Sequence, residues 1–408
     1  MPRRDFVVGL DIGTSKVAVV TAEAGADGKV NVIGVGKSPS SGMRKGVVVD
    51  IDGTVRSITE ALEQAERMAG VNIKSVYVSV TGAHVSSLIN RGVVAVGRED
   101  KEITQEDVDR VMEAARVLNI PSDREIIHVL AREFVVDGYD GVRDPVGMMG
   151  VRLEVEAQIV TGAVTSMQNL LRAVYKAGLE VDDVVLAPLA SGEAVLHPAE
   201  RELGVAVVDI GGGTTDIAIF EKGSLFHACV LPLGGEHVTN DIAVGLRTPI
   251  NQAEKIKLEH GVARLSLAAE DAYFQLPTVG GQKEKTVSKA TLAGIIEPRV
   301  QEMLAMVDRE IKKAGYGSVL PGGVVLTGGT SLMPGIGDYA AEVLDMPLRL
   351  GVPVGVGGLQ DVVSSPAFST AVGLVLFAAK ERLKNEPKRQ ESGGGFIERV
   401  KGFFREFF

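Results

Sequence analysis

The tripeptide Asp-Ile-Gly occurs twice in this chain, at Asp11-Ile12-Gly13 and Asp209-Ile210-Gly211, each time between two apolar, β-rich runs. Val7 to Val20 reads VVGLDIGTSKVAVV, and Val205 to Ile219 reads VAVVDIGGGTTDIAI. Both stretches describe a strand, a glycine turn and a returning strand. Glycines let backbone N–H groups approach an anion, neighbouring hydroxyls add donors, and an aspartate beside the turn can hold a cation that neutralises phosphate charge. One such hairpin is an ordinary tight turn. Two with matching acids, spaced at close to half the chain, predict two related half-molecules around a nucleotide's phosphates and Mg²⁺.

The length of 408 residues accommodates two or more domains with ample cores. With 43 basic against 53 acidic residues the net charge is −10, which argues against nucleic acid as a principal partner. Cys229 is the single cysteine, so no internal disulfide framework exists and a reducing compartment fits. The N-terminus MPRRDFVVGLDIG has an apolar run broken by Asp11 and is expected not to be a signal peptide. No apolar run reaches the ~18 residues that a membrane span needs. A cytoplasmic protein is expected, with the membrane question moved to the far end of the chain.

In chain order, Asn31 to Gly36, Met43 to Asp50 and Lys74 to Val80 predict strands. Gly53 to Gly70 predicts a helix, with Val55, Ile58, Leu62, Ala65 and Met68 at helical spacing. Gly36-Lys37-Ser38 resembles the end of a P-loop, but Asn31 stands where that motif needs glycine. From about Gly82 to Ala163, strand-like runs at Val93 to Val96, Glu125 to Phe134 and Glu154 to Val160 surround a helix at Thr104 to Leu118, with Thr104 and Asp107 as a capping-box-like start. The segment reads as a small α+β insertion devoted to contact, and its His84 and His128 read as solvated or structurally satisfied.

A helix at Thr165 to Ala177, with Thr165 expected as its N-cap, and a strand at Val181 to Ala187 precede the central hairpin. A strand at Ser224 to Leu231 follows it, and then Gly234-Gly235 leads into a helix at His237 to Leu246. Pro249 opens the next helix, where Glu254 and Lys257 share a face and suit ribose hydroxyls or a surface ion pair. Ser266 to Val287 is a loop or hairpin, and Leu292 to Ala314 a long helix. Val324 to Pro334, VVLTGGTSLMP, is a third glycine loop, open to a flat ring at Gly328 and Gly329. The last globular helix spans about Ala367 to Leu383.

The ordered set DIGTSK, DIGGGTTD and LTGGTSLMP, with Glu254 and Lys257 between the last two, resembles the ATP site of the actin superfamily of actin, sugar kinases and heat-shock chaperones. The resemblance covers residues 6 to 380. It implies an α/β, actin-like two-lobed ATPase fold closing on ATP and Mg²⁺. Gly13, Thr14, Ser15 and Lys16 would form one phosphate loop, and Gly211, Gly212, Gly213 and Thr214 the other. Gly234 and Gly235 would join the nucleotide site, Glu254 and Lys257 would meet the ribose, and Gly328 and Gly329 the adenosine. Asp11 and Asp209 would lie around the metal, through water, with Asp209 also near the attacking water in a catalytic position. The chaperones carry a glutamate before a proline where this chain has Ala187 before Pro188, so hydrolysis is expected to be slow, by a loss typically of about 10²–10⁴-fold.

Within that superfamily the insertion, GGEHVTNDIA at 234–243, TPINQAEKIKLEHG at 248–261 and the C-terminal tail resemble the bacterial cell-division family FtsA. The resemblance implies subdomain 1A over 1–81, 164–190 and 351–383, an inserted subdomain 1C over 82–163, 2A over 191–230 and 301–350, and 2B over 231–300. It implies a protein that polymerises, binds the C-terminal peptide of FtsZ through 2B, and contacts itself and other division proteins through 1C.

The tail adds its own physics. KNEPKRQESGGG, residues 384–395, has too little apolar surface to fold and reads as a flexible linker. FIERVKGFFREFF, residues 396–408, holds five of the 12 phenylalanines. On a helix Phe396, Ile397, Val400, Phe403, Phe404, Phe407 and Phe408 fall within an arc of roughly 140°, with Arg399 and Lys401 at its borders. This predicts an amphipathic helix lying in the inner leaflet, so that the protein is peripheral to the cytoplasmic side of the cell membrane at the division site. The alternative for the tail is docking on its own domain or on a partner. For the whole chain the alternatives are an actin-fold small-molecule kinase, a chaperone, or a pilus-assembly protein like PilM.

Overall fold

The structure is a computed structural model that describes residues 6–25, 28–97, 100–269, 271–276, 285–316 and 320–385. The terminal helix expected over 396–408 and the linker beyond Asn385 lie outside the described residues.

The first half opens with β1 (Phe6–Ile12), β2 (Lys16–Ala24) and β3 (Val30–Pro39), then a two-rung hairpin of β4 (Met43–Arg44) and β5 (Val47–Val48). α1 (Ile51–Ala69) follows, then β6 (Ser75–Val80). Local chemistry sets both ends of α1. Asp50 caps its start by accepting from the Gly53 amide at 3.2 Å, and Gly70, at φ 68°, closes its end by donating to Glu66 O at 2.8 Å. The face carrying Ile58, Ala61, Leu62 and Ala65 is buried against the sheet.

The chain then leaves this lobe for the insertion: β7 (Ser86–Ala95), α2 (Gln105–Arg116), β8 (Arg124–Val136), β9 (Tyr139–Val142) and β10 (Arg152–Ala163). These strands form a sheet of their own in the order β7-β10-β8-β9, over a separate core that includes Ile103, Val111, Leu153 and Ile159. At the start of α2 the Asp107 carboxylate accepts from both the amide and the hydroxyl of Thr104, each at 2.9 Å. His84 Nδ1 accepts from the Ala163 amide at 3.3 Å, and half-buried His128 Nε2 accepts from the Leu186 amide at 3.0 Å. Burial lowers the His128 pKa to about 4, so this histidine is a neutral structural acceptor.

α3 (Val164–Lys176), β11 (Glu180–Leu186), α4 (Ala187–Val195) and the short α5 (Pro198–Leu203) complete the first half. Thr165 is not the N-cap expected from sequence. Ala163, still paired with Arg124 in the ladder, takes that position without a side-chain bond, because β10 runs straight into α3. Ala187, expected as the end of a strand, is the first residue of α4.

The second half repeats the plan with β12 (Val205–Ile210), β13 (Thr215–Glu221), β14 (Ser224–Leu231), α6 (Gly235–Leu246) and α7 (Ile250–His260). A hairpin of β15 (Tyr273–Leu276) and β16 (Lys285–Ser288), the long α8 (Lys289–Lys313), β17 (Val324–Thr327), α9 (Ile336–Leu344) and β18 (Leu348–Leu350) follow. The chain then returns to the first lobe through β19 (Val356–Gly358), α10 (Gln360–Val363) and α11 (Ser369–Asn385). α11 runs two residues into the segment expected as linker, because the first helix breaker in that stretch is Pro387.

The two main sheets have matching order. The first is β11-β6-β1-β2-β3-β19 and the second is β18-β17-β12-β13-β14. In each, an antiparallel three-strand meander is extended by two parallel strands on the far side of its first member. Central β12 is buried at every residue, which explains the apolar run Val205 to Val208 that leads up to Asp209. The last helices are exchanged between the lobes: α11 packs on β1 and β2 of the first sheet, whereas α4 packs on β12 and β13 of the second. The expected lobe boundary at residues 190 and 191 thus falls inside α4. The two helices cross at a backbone-close contact, where a Cβ at Gly373 would sit 1.8 Å from Ala190 O. Only glycine permits that approach.

Candidate functional site

The two Asp-Ile-Gly hairpins have nearly the same backbone. The first ladder ends at Ile12 paired with Val17, and Gly13 N–H donates to Lys16 O at 2.9 Å. The second ends at Ile210 paired with Thr215, and Gly211 N–H donates to Thr214 O at 2.9 Å. They meet tip to tip between the lobes. A Cβ at Gly213 would lie 2.3 Å from Thr14 Oγ1, and one at Gly212 would lie 2.8 Å from Ser15 Oγ. Thr14 and Ser15 therefore occupy room that the second hairpin leaves by having no side chains there.

Three buried carboxylates sit at the base of this contact, each oriented by the end of another element. Asp11 accepts from Lys16 Nζ at 2.9 Å and from Ser79 Oγ, near the end of β6, at 2.9 Å. Asp209 accepts from Ser191 Oγ of α4 at 2.6 Å and from Thr370 Oγ1 of α11 at 3.2 Å. Asp216 accepts from Thr81 Oγ1 and, at 3.4 Å, from Thr214 Oγ1. Burial raises the pKa of Asp209, with Asp11 adding to the effect, and it raises Asp216 well above the ordinary aspartate range, with Asp209 adding there. Low-dielectric surroundings and mutual repulsion both disfavour the ionised forms.

Backbone and hydroxyl contacts build a wall around the second hairpin. Gly235 N–H donates to Gly211 O at 2.9 Å, Glu236 N–H to Gly212 O at 2.8 Å, and Thr330 Oγ1 to Gly211 O at 2.9 Å. Gly234 and Gly235 therefore lie at the start of α6 directly beside the turn. Gly328 abuts Asp209, where its Cβ would meet Oδ1 at 2.3 Å, and Gly329 opens the 3₁₀ turn that presents Thr330.

Lys257 and Glu254 are joined at 2.7 Å, and Lys257 also donates to Thr239 Oγ1 at 2.8 Å and Gly235 O at 3.1 Å. Only 10% of the lysine side chain is exposed, against 41% for the glutamate. Two of the lysine's bonds brace α7 against α6 and the third stays within α7, whereas the carboxylate keeps an accessible side.

The donor set fits a nucleotide with a divalent cation. Three carboxylates face one ammonium, a charge deficit that a cation would balance, and the glycine-lined tips leave backbone to meet phosphate. The carboxylate oxygens of Asp11, Asp209 and Asp216 do not converge tightly enough to coordinate one ion together, which suits a metal held through water.

Sequence reading found both hairpins and the aspartates that begin them, but Ser79, Thr81, Ser191 and Thr370 escaped it. Their only sequence mark is polarity inside apolar runs such as LAPLASGEAVL and FSTAVGLVLFAA. Asp216 was visible as the second acid of its hairpin.

Comparison with known proteins agrees with this architecture. The family profile described as "Cell division protein FtsA" matches residues 206–373, and "SHS2 domain inserted in FTSA" matches residues 82–161. The chain is similar to "Cell division protein FtsA" of Pseudomonas aeruginosa, at 47% identity over 377 residues that cover 92% of this chain and 90% of that protein. It is similar to the protein of that name from Escherichia coli at 40% identity, covering 99% of each. Among solved structures, the PilM-PilN type IV pilus biogenesis complex aligns at TM-score 0.66 with 17% identity, over 92% of this chain and 99% of that one. MreB5 of Spiroplasma citri bound to AMPPNP aligns at TM-score 0.55 with 15% identity, over 94% and 99%. At such identities these two show the fold alone.

Proposed function

The chain belongs to the FtsA family of cell-division proteins, and from that premise we propose that it binds ATP with Mg²⁺ between its sister hairpins, polymerises on the cytoplasmic face of the membrane and holds FtsZ filaments there. The observation that carries the nucleotide reading is the tip-to-tip meeting of the hairpins over an excess of buried carboxylate. Gly13 to Lys16 and Gly211 to Thr214 would bind the phosphates, with Lys16 as the cationic side chain of the set. Glu254 would meet the ribose, Lys257 would hold Glu254 and Gly235 in place, and Gly328 and Gly329 would back the adenosine. Asp11 and Asp209 would orient water around Mg²⁺, whose role is to neutralise charge developing on the phosphates. Ala187, at the first position of α4, offers no group to polarise an attacking water, so turnover would be slow and ATP would serve as an assembly ligand.

The FtsZ peptide would dock on 231–300, and the insertion at 82–163 would meet neighbouring subunits and other division proteins. Membrane attachment rests on the Phe-rich sequence of 396–408, where each fully buried phenylalanine contributes on the order of 1.5–3 kcal/mol. No helix among the described residues is long and apolar enough to cross a membrane. Electron microscopy on lipid monolayers with ATP, with and without FtsZ, tests the whole. Filaments on lipid that recruit FtsZ are expected, and their absence under all conditions overturns the reading. Sedimentation of a chain ending at Leu383 with liposomes, to the extent seen for the full chain, would remove the anchor.

A further inference from the structure

Away from the hairpins, His227 and Cys229 lie two residues apart on β14, which places them on one face of the strand, and Glu310 of α8 reaches them. One ligand atom from each lies within 4.8 Å of the others, the one such grouping of three among the described residues. His227 Nε2 is buried and has no hydrogen-bond partner. A buried imidazole nitrogen without a partner costs free energy unless something comes to it.

We propose that His227 Nε2, Cys229 Sγ and a Glu310 carboxylate oxygen form a Zn²⁺ site on the side of the second lobe, separate from the nucleotide site, with water as the fourth ligand. The donors favour zinc over the magnesium of the nucleotide site: imidazole and thiolate suit zinc, whereas magnesium takes oxygen. Tetrahedral zinc wants its ligand atoms about 3.5 Å apart, so the three side chains close in by about 1 Å from their observed spread. Glu310 is free to do so, because its partner Lys313 is an exposed ammonium 3.4 Å away.

A thiol ligates zinc only as the thiolate, so Cys229 gives up its proton on binding. Binding exchanges that proton for the ion, so one proton leaves as the Zn–S bond forms. The ion would bridge β14 to α8. Cys229 is paired across the ladder with Ile217, the residue after Asp216, so the bridge stiffens the sheet that carries the second hairpin.

Because Cys229 is the only thiol of the chain, its chemistry reports on the site without ambiguity. Tag-free full-length protein titrated with Co²⁺ is expected to develop a sulfur-to-cobalt charge-transfer band in the near ultraviolet, displaced by one equivalent of Zn²⁺. Cys229→Ser abolishes the band, and His227→Ala or Glu310→Gln weakens Zn²⁺ binding at least tenfold. In the unmutated protein, which needs no variant to fold, saturating Zn²⁺ slows alkylation of Cys229 at least tenfold. A titration without a cobalt band, Zn²⁺ binding undiminished in Cys229→Ser, or an alkylation rate indifferent to Zn²⁺ overturns the site.

Discussion

The hairpins at Asp11 and Asp209 share a backbone and differ in charge. In register, Lys16 of the first corresponds to Thr214 of the second, and Ala18 to Asp216. The first is balanced within itself, its aspartate held by its own lysine. The second has two buried acids and only hydroxyls, from Ser191, Thr370, Thr81 and Thr214, to steady them. The difference teaches that duplication supplied the shape of the site and divergence supplied its polarity. A ligand with a cation would complete the second hairpin and would have less to offer the first. The tips diverged in bulk as well, Thr14 and Ser15 on one side and Gly212 and Gly213 on the other, so the halves interlock instead of colliding.

The most damaging way to erase this difference is Gly213→Ser, which gives the second hairpin the residue its sister carries. The new side chain would overlap Thr14, and nucleotide affinity is expected to fall at least about 100-fold, or about 2.7 kcal/mol. Equilibrium titration with a fluorescent nucleotide measures it, and a loss under threefold would mean the tips need not meet.

Removing the cation is expected to do less. Lys16→Met leaves the Asp11 carboxylate buried without its ammonium and should destabilise the fold by about 2–3 kcal/mol, read from denaturant unfolding. The corresponding Thr214→Val should cost under about 1 kcal/mol, because its bond to Asp216 is long at 3.4 Å. Equal costs would dissolve the contrast between the hairpins.

The smallest effect carries a sign. Asp209 and Asp216 are raised in the folded state, so above the ordinary aspartate pKa the native chain binds more protons than the unfolded one. The metal-free protein should therefore lose stability as pH rises through that window, by about 1.4 kcal/mol for each tenfold by which folding tightens proton binding. Asp216→Asn should flatten the loss and leave the metal-free protein equal to or slightly more stable than its parent at neutral pH. Melting curves across pH check this, and a parent whose stability rises through the window would contradict the raised pKa values.

Local features were legible in the sequence because their causes are local. Gly70 ends α1 where the sequence put it, through a bond spanning four residues, and the hairpins are written in fifteen or so consecutive letters, whereas Asp50, expected as the end of a strand, caps a helix that begins two residues before Gly53. The hydroxyls of Ser79, Thr81 and Thr370 that position the aspartates come from 68, 135 and 161 residues away, so only the sheet order and the exchanged helices reveal them. Thr165 misled for the complementary reason: a long-range strand ladder fixed the start of α3 where a local cap would otherwise have done so.

The crossing of α4 and α11 has a mechanical corollary. Ser191 and Thr370 stand 3.0 Å apart on the two helices and both grasp Asp209. The joint and the charge sensor are thus the same few atoms, like a scissor whose rivet is also its trigger. The hydroxyl pair at the crossing is the first neighbour to meet a change at Asp209, and α11 runs from that point to Asn385.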